Sequence, residues 1–214
     1  MTDRRQLCGD AGDEDAARRC LFLQAQYAIR AGIEMLQVRE PGLEAADLAT
    51  IVKDLVDLAD GTATRIVVSD RVDVALACGA HGVHLRSDSV PASAVRSIAP
   101  PGFLVGRSVH TVAEAIATAP DVDYLIAGTV WPSASKPAGH PVLGLEGLAA
   151  IVAAAAVPVL AIGGITPERL AQLTSSGASG AAGIGLFMAP TGEPPGAGCR
   201  ATPLEPVVAA ARAV

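Results

Sequence analysis

Short apolar runs bounded by glycine, proline and polar clusters recur along the chain, and between them lie longer stretches whose apolar residues return every three or four positions. The short runs suit strands buried on both faces, and the longer ones suit amphipathic helices. In chain order, the pattern predicts a helix over 13–31 with acidic residues in its first turn, stopped by Gly32. A strand over 35–39 follows, then a helix over 43–60 with Leu48, Ile51, Val52, Leu55 and Leu58 on one stripe. Further strands are predicted over 65–69, 82–85, 103–108, 124–128, 158–162 and 180–184. Helices are predicted between and after them, over 72–78, 91–99, 111–119, 145–156, 167–176 and 204–213. Seven strands in strict alternation with helices call for a parallel sheet, closed or doubly wound.

Two features favour closure into an α/β fold of the (β/α)8 TIM barrel type. Polar and glycine-rich segments recur just after strands, at 39–42, 69–71, 86–89, 108–110, 133–136 and 163–166, and a barrel gathers such loops on one face. No GxGxxG follows the first strand, so nothing favours the dinucleotide fold. The count is one strand short. Before the helix at 13 only residues 1–4 are available, and a strand usually needs about five. The first strand therefore reads as truncated: either the chain starts downstream of its natural beginning, or a remnant leaves an open edge. The 214 residues suit one domain, 1–214, within which 190–203, with four prolines and three glycines, reads as a flexible connector.

Composition narrows the partners. Half the residues are apolar but only six are aromatic, so the core must be built from Ala, Val, Leu and Ile. A net charge of −6 spread over the chain argues against nucleic acid or an anionic membrane as partner. It leaves anionic small molecules open, because a local cluster decides that. Cys8, Cys20, Cys78 and Cys199 show no CxxC spacing and no paired framework, and read as reduced thiols of a cytoplasmic protein. No signal peptide opens the sequence, and no apolar run approaches the ~18 residues of a membrane span.

Candidate chemistry concentrates at 123–137. The strand 124–128 cannot continue past Pro132 and Pro137, so Ser133, Ser135 and Lys136 fall on a loop at its carboxyl end. Two hydroxyls and an ammonium can offer several donors and one positive charge to a phosphate. Lys136 is one of only two lysines, against fourteen arginines, so lysine here runs against the composition.

Several blocks together resemble the thiamine phosphate synthase and thiazole tautomerase superfamily: QVRE at 37–40, SDRVDVAL at 69–76, GVHL at 82–85, GRSVHT at 106–111, AGTVWPSASKP at 127–137 and AIGGITPERL at 161–170. They fall in the family's order after successive strands, and residues 1–4 resemble the end of its first strand. The resemblance implies a (β/α)8 barrel acting in thiamine biosynthesis, commonly as a homodimer, on small-molecule phosphate and pyrophosphate esters. In the synthase, a pyrimidine methyl pyrophosphate loses pyrophosphate and the thiazole phosphate nitrogen captures the resulting cation. By motif match, Gln37 and Arg39 would meet the pyrimidine pyrophosphate, Asp70 would bind Mg2+, and Ser108 and Lys136 would hold the pyrophosphate. Ser133 and Ser135, with backbone amides at Gly163 and Gly164, would take the thiazole phosphate. The glycine pair also makes sense alone, since it lets backbone N–H groups approach an anion after a late barrel strand.

The departures are specific. Pro41 stands where the synthase has a lysine, and Ser69 where it has the asparagine before the magnesium aspartate. Ser89 replaces a second metal carboxylate, with Asp88 adjacent as the substitute ligand, and Gly185 replaces a serine whose role its amide could fill. GRSVHT resembles the tautomerase branch, which moves a proton and needs no metal, yet Thr129 stands where that branch carries its histidine. Asp70, which the tautomerase does not need, favours the synthase; the alternatives are a tautomerase with a relocated acid-base group and a barrel that binds phosphate esters without turnover. On residue chemistry alone, Asp70 could cap the next helix, His84 could be a satisfied interior histidine, and His110 could bond locally.

Overall fold

Continuous aliphatic runs become buried strands that alternate with helices, and the computed structural model shows this over its described residues, 1–8, 13–133, 135–137, 139–189 and 199–212. The chain forms two compact units. The first comprises Met1–Gly82 and Ile184–Ala209. It contains the helices Arg4–Leu7 (α1), Glu14–Arg30 (α2), Ala45–Ala59 (α3) and Val72–Ala77 (α4), and the strands Met35–Val38 (β1) and Arg65–Ser69 (β2). β1 and β2 pair in parallel, from Met35 opposite Arg65 to Val38 opposite Val68. Ile66, Val67 and Val68 are fully buried, as are Ile51, Val52 and Leu55 of α3. The α3 stripe closes on Ala59 while Leu58 is half-buried, which keeps the four-residue step from Leu55.

The second unit comprises Val83–Gly183 and 210–214. Its strands are Gly82–Leu85 (β3, from its second residue onward), Leu104–Val109 (β4), Tyr124–Gly128 (β5), Val159–Ile162 (β6) and Gly180–Ala182 (β7). Helices Ala92–Arg96 (α5), Val112–Thr118 (α6), Gly144–Ala154 (α7) and Pro167–Leu173 (α8) alternate with them. β5 is buried at all five positions, as its apolar run requires. β4, β5, β6 and β7 pair in parallel in that order. The Arg96 guanidinium ties α5 to this sheet by donating to Phe103 O (2.9 Å), Asp121 O (3.1 Å) and the Asp123 carboxylate, which also accepts from Val105 N–H. The last helix, Glu205–Arg212 (α9), spans the boundary between the units. In the first unit, Leu204 and Val208 bury against Ala28, Tyr27 and Phe187.

Two expectations change. Residues 1–4 form no strand: Asp3 caps α1, its carboxylate accepting from Gln6 N–H at 3.1 Å, so the backbone turns helical at Arg4. What remains of strand-like pairing is Thr2, whose N–H donates to Gln37 O (2.8 Å) and whose Oγ1 accepts from Arg39 N–H (3.0 Å). Seven strands are present among the described residues, and an eighth is not among them. The cysteines are not all reduced, because Cys20 and Cys199 form a disulfide across a sequence separation of 179. No local spacing could have announced it. Of the expected connector 190–203, residues 190–198 lie outside the described residues. Cys199 makes an isolated antiparallel bridge with Cys8. No helix among the described residues is long and apolar enough to cross a membrane.

Candidate active site

In the first unit, β1 ends in the QVRE segment. Gln37 is buried and Arg39 half-buried, and Arg39 makes no side-chain hydrogen bond or ion pair among the described residues. An arginine held at a strand end without a protein counter-ion has a charge available for an anion. Glu40, which the sequence reading gave no role, is buried with Arg4. Arg4 Nη1 donates to Glu40 Oε2 at 3.0 Å, Arg4 N–H donates to the same carboxylate, and Arg4 Nε donates to Glu14 at 2.9 Å. This pair and Thr2 fix the chain on both sides of Arg39.

At the end of β2, Asp70 has φ +63°, the only positive φ on a non-glycine among the described residues. Arg71 N–H donates to Ser69 O at 2.8 Å around it, the i to i+2 bond of a γ-turn, which is strained at positive φ. Asp70 precedes the N-cap position of the next helix by one residue. The N-cap of α4 is Arg71, whose side chain makes no capping hydrogen bond. Arg71 is instead engaged by Asp73, and this hydrogen bond holds the Asp73 carboxyl at about 2. Gly185, also in this unit, is exposed at the start of a short 3-10 turn, with open space where a Cβ would stand.

In the second unit, the loops after β5 and β6 lie backbone against backbone. Val130 N–H donates to Ile162 O (2.9 Å) and Trp131 N–H to Gly163 O (3.1 Å). Gly163 and Gly164 have φ +101° and +64°. A Cβ on Gly163 would stand 2.9 Å from Thr129 Cα, and one on Gly164 2.5 Å from Pro132 O. Only glycine permits both the turn and the approach. Arg169 clamps the pair, donating to Gly164 O at 2.6 Å while its guanidinium lies 5.3 Å from the Trp131 ring centroid. The structure thus brings the glycine pair against the root of the loop bearing Ser133, Ser135 and Lys136. Ser133 Oγ and Ser135 Oγ are 3.0 Å apart, and Lys136 is exposed with no ion pair among the described residues.

Ser108 sits half-buried on β4 with its Oγ 2.9 Å from His84 Nε2, and His84 Nδ1 is 3.2 Å from the Tyr124 hydroxyl. His84 is therefore an interior histidine with both ring nitrogens engaged. Asp88 is exposed and paired with Arg86 at 3.3 Å. His110 is exposed, its Nδ1 bonded to Gly128 O next to buried Thr129. Sequence reasoning assigned Ser108 and gave His84 as a satisfied interior histidine, as it is here, but named neither their contact nor Tyr124; the available signal was Gly106, a glycine inside a strand, which marks a close approach. Among the described residues, no three His, Cys, Asp or Glu side chains cluster as a metal site.

The family model for thiamine monophosphate synthase matches residues 10–187. A thiamine-phosphate synthase of Methanoculleus marisnigri is 38% identical over 161 residues, covering 75% of this chain and 76% of that relative. A thiamine-phosphate synthase of Roseiflexus sp. is 37% identical over 213 residues, 99% of this chain and 84% of the relative. Among solved structures, thiamine phosphate pyrophosphorylase from Pyrococcus furiosus superposes with a TM-score of 0.71 at 30% identity, covering 87% of this chain and 88% of that one. The matched span runs from before β1 to the turn after β7 and includes all six motif blocks, from 37–40 to 161–170: the chain belongs to the thiamine monophosphate synthase family.

Proposed function

We propose that the chain joins a pyrimidine methyl pyrophosphate to thiazole phosphate with release of pyrophosphate, on a (β/α)8 barrel frame. The bond from the pyrimidine methylene carbon to pyrophosphate oxygen breaks, its electron pair leaving with pyrophosphate, and the thiazole nitrogen forms the new bond to that carbon. Charge accumulates on the leaving group, so cations and donors held ready for it lower the barrier. Arg39, Lys136 and Ser108 are those groups. Gln37 and Ser69 lie on the pyrimidine side, and Ser133, Ser135 and the amides of Gly163, Gly164 and Gly185 on the phosphate side.

The observation that carries this reading over a proton-transfer enzyme is Asp70, a carboxylate kept in a strained turn at the end of β2. Its hard oxygen donors suit magnesium, which needs only one or two carboxylates. Asp70 would be the principal ligand and Asp88, which pairs with Arg86 in this structure, the second. Bound magnesium would offset the charge of the departing pyrophosphate. A homodimer in the cytoplasm belongs to the same reading. One observation favours the isomerase alternative: His110 bonds to Gly128 O, beside the Thr129 position, and could act as a relocated acid-base group.

The test is a calorimetric titration of thiazole phosphate, with and without magnesium pyrophosphate, on wild type and Lys136→Ala. Binding should strengthen with magnesium pyrophosphate and weaken about 10- to 100-fold in the variant, the scale of a lost charge-assisted hydrogen bond. Binding indifferent to both would favour the isomerase or a non-catalytic barrel.

A further inference from the structure

The side chains of Tyr124 on β5, His84 on β3 and Ser108 on β4 form one hydrogen-bonded chain, and their order fixes a direction for protons. Tyr124 stands opposite Gly106 in the β4–β5 register. A Cβ on Gly106 would overlap the hydroxyl end of the Tyr124 ring, so the ring crosses β4 at the one residue that leaves room. It reaches His84, whose ring it meets at a 5.6 Å centroid distance and 27°. Tyr124 is 5% exposed and His84 2%, whereas Ser108 is half-buried.

Neutral imidazole has one N–H and one acceptor nitrogen, and a buried phenol must place its proton on something. The only hydrogen bond of the Tyr124 hydroxyl among the described residues is to His84 Nδ1. If Nδ1 carried the proton, the phenol would accept there and its own O–H would be stranded. With Nδ1 as acceptor, every proton has a place. Burial, and to a smaller degree the charge of Asp123, raises the Tyr124 phenol well above its ordinary range, so that proton stays on the oxygen.

We propose that His84 and Tyr124 are positioning residues for the pyrophosphate anion: Tyr124 O–H donates to Nδ1, Nε2–H donates to Ser108 Oγ, and the Ser108 proton is thereby turned outward to the anion. Were the histidine the other tautomer, Ser108 would spend its proton on Nε2 and face the anion with lone pairs. The relay rests on the functional reading above only for the identity of the anion. Gly106 is its steric condition, and Gly106→Ala should act as Tyr124→Phe does.

The test has two arms. The first is the long-range 1H–15N spectrum of the ligand-free, 15N-labelled chain, with His84 assigned by the signals lost in His84→Gln. The Nε2–H form is expected, and the Nδ1–H form would overturn the proposal, whether or not any variant folds. The second is inorganic pyrophosphate affinity in a double-mutant cycle. Ser108→Ala and Tyr124→Phe should each weaken binding about tenfold, the scale of one hydrogen bond to a charged group, and the double variant should be no weaker than Ser108→Ala. His84→Gln, whose amide N–H can replace Nε2–H, should keep most of the affinity that His84→Leu loses. Effects that multiply in the double variant would overturn the relay. If the wild type fails to bind pyrophosphate, the synthase reading falls, and the tautomer decides the relay.

Discussion

Arg4→Ala should cost about 3–5 kcal/mol of stability, the usual consequence of removing one partner of a buried ion pair. The Arg4 and Glu40 side chains are each 2% exposed, and their shortest contact is 3.0 Å. Without the guanidinium, the Glu40 carboxylate keeps only the Arg4 backbone N–H as donor from that residue and remains out of water. The cost is that of an uncompensated buried charge, so removing both charges should undo much of it. Arg4→Met with Glu40→Leu should recover most of the loss in urea denaturation at neutral pH. A loss below about 1 kcal/mol for Arg4→Ala would mean that water reaches Glu40. Part of the effect should appear in acid. The hydrogen bond from Arg4 depresses the Glu14 carboxyl, so this contribution is present above the ordinary glutamate range and is lost as pH falls through the lowered value.

Gly164→Ala should lower kcat/KM, and affinity for thiazole phosphate, about a hundredfold, the scale attached to a misplacement of about 1 Å. The new Cβ would lie 2.5 Å from Pro132 O, 2.7 Å from Trp131 O and 2.8 Å from Trp131 Cβ. Two of these are backbone atoms, so the chain leading to Ser133 must move. Gly102→Ala is the control. Its φ is +81°, giving similar backbone strain, but nothing lies within 4 Å of its Cβ. It should lose roughly 1 kcal/mol of stability and keep its activity. Activity within threefold of wild type in Gly164→Ala would show that the contact between the two loops does not position the phosphate groups.

What the sequence made legible follows its local physics. Strands 65–69, 82–85 and 124–128 match β2, β3 and β5 residue for residue, because each is an apolar run cut off by polar, glycine or proline neighbours. Helix ends were less sharp: 167–176 divides into α8 and a 3-10 turn over Thr174–Ser176. α1 was missed because four residues carry no periodicity, and what holds Arg4 is a glutamate 36 positions away. The Cys20–Cys199 disulfide and the Ser108, His84 and Tyr124 contacts were illegible for the same reason, being made between elements distant in sequence. The loop 133–136 and the pair Gly163 and Gly164 were legible as separate motifs, but the meeting of the pair with the backbone of 129–132 at the root of that loop was not, because it joins segments more than thirty residues apart.

The most direct test of the synthase reading is turnover by the purified full chain given a pyrimidine methyl pyrophosphate and thiazole phosphate. Thiamine phosphate would be read by mass and pyrophosphate by its release. Equal amounts of the two products should form in the presence of magnesium, and both should be lost in Asp70→Ala. Thiazole phosphate that is only isomerised, or bound and returned unchanged while no pyrophosphate appears, would contradict the account.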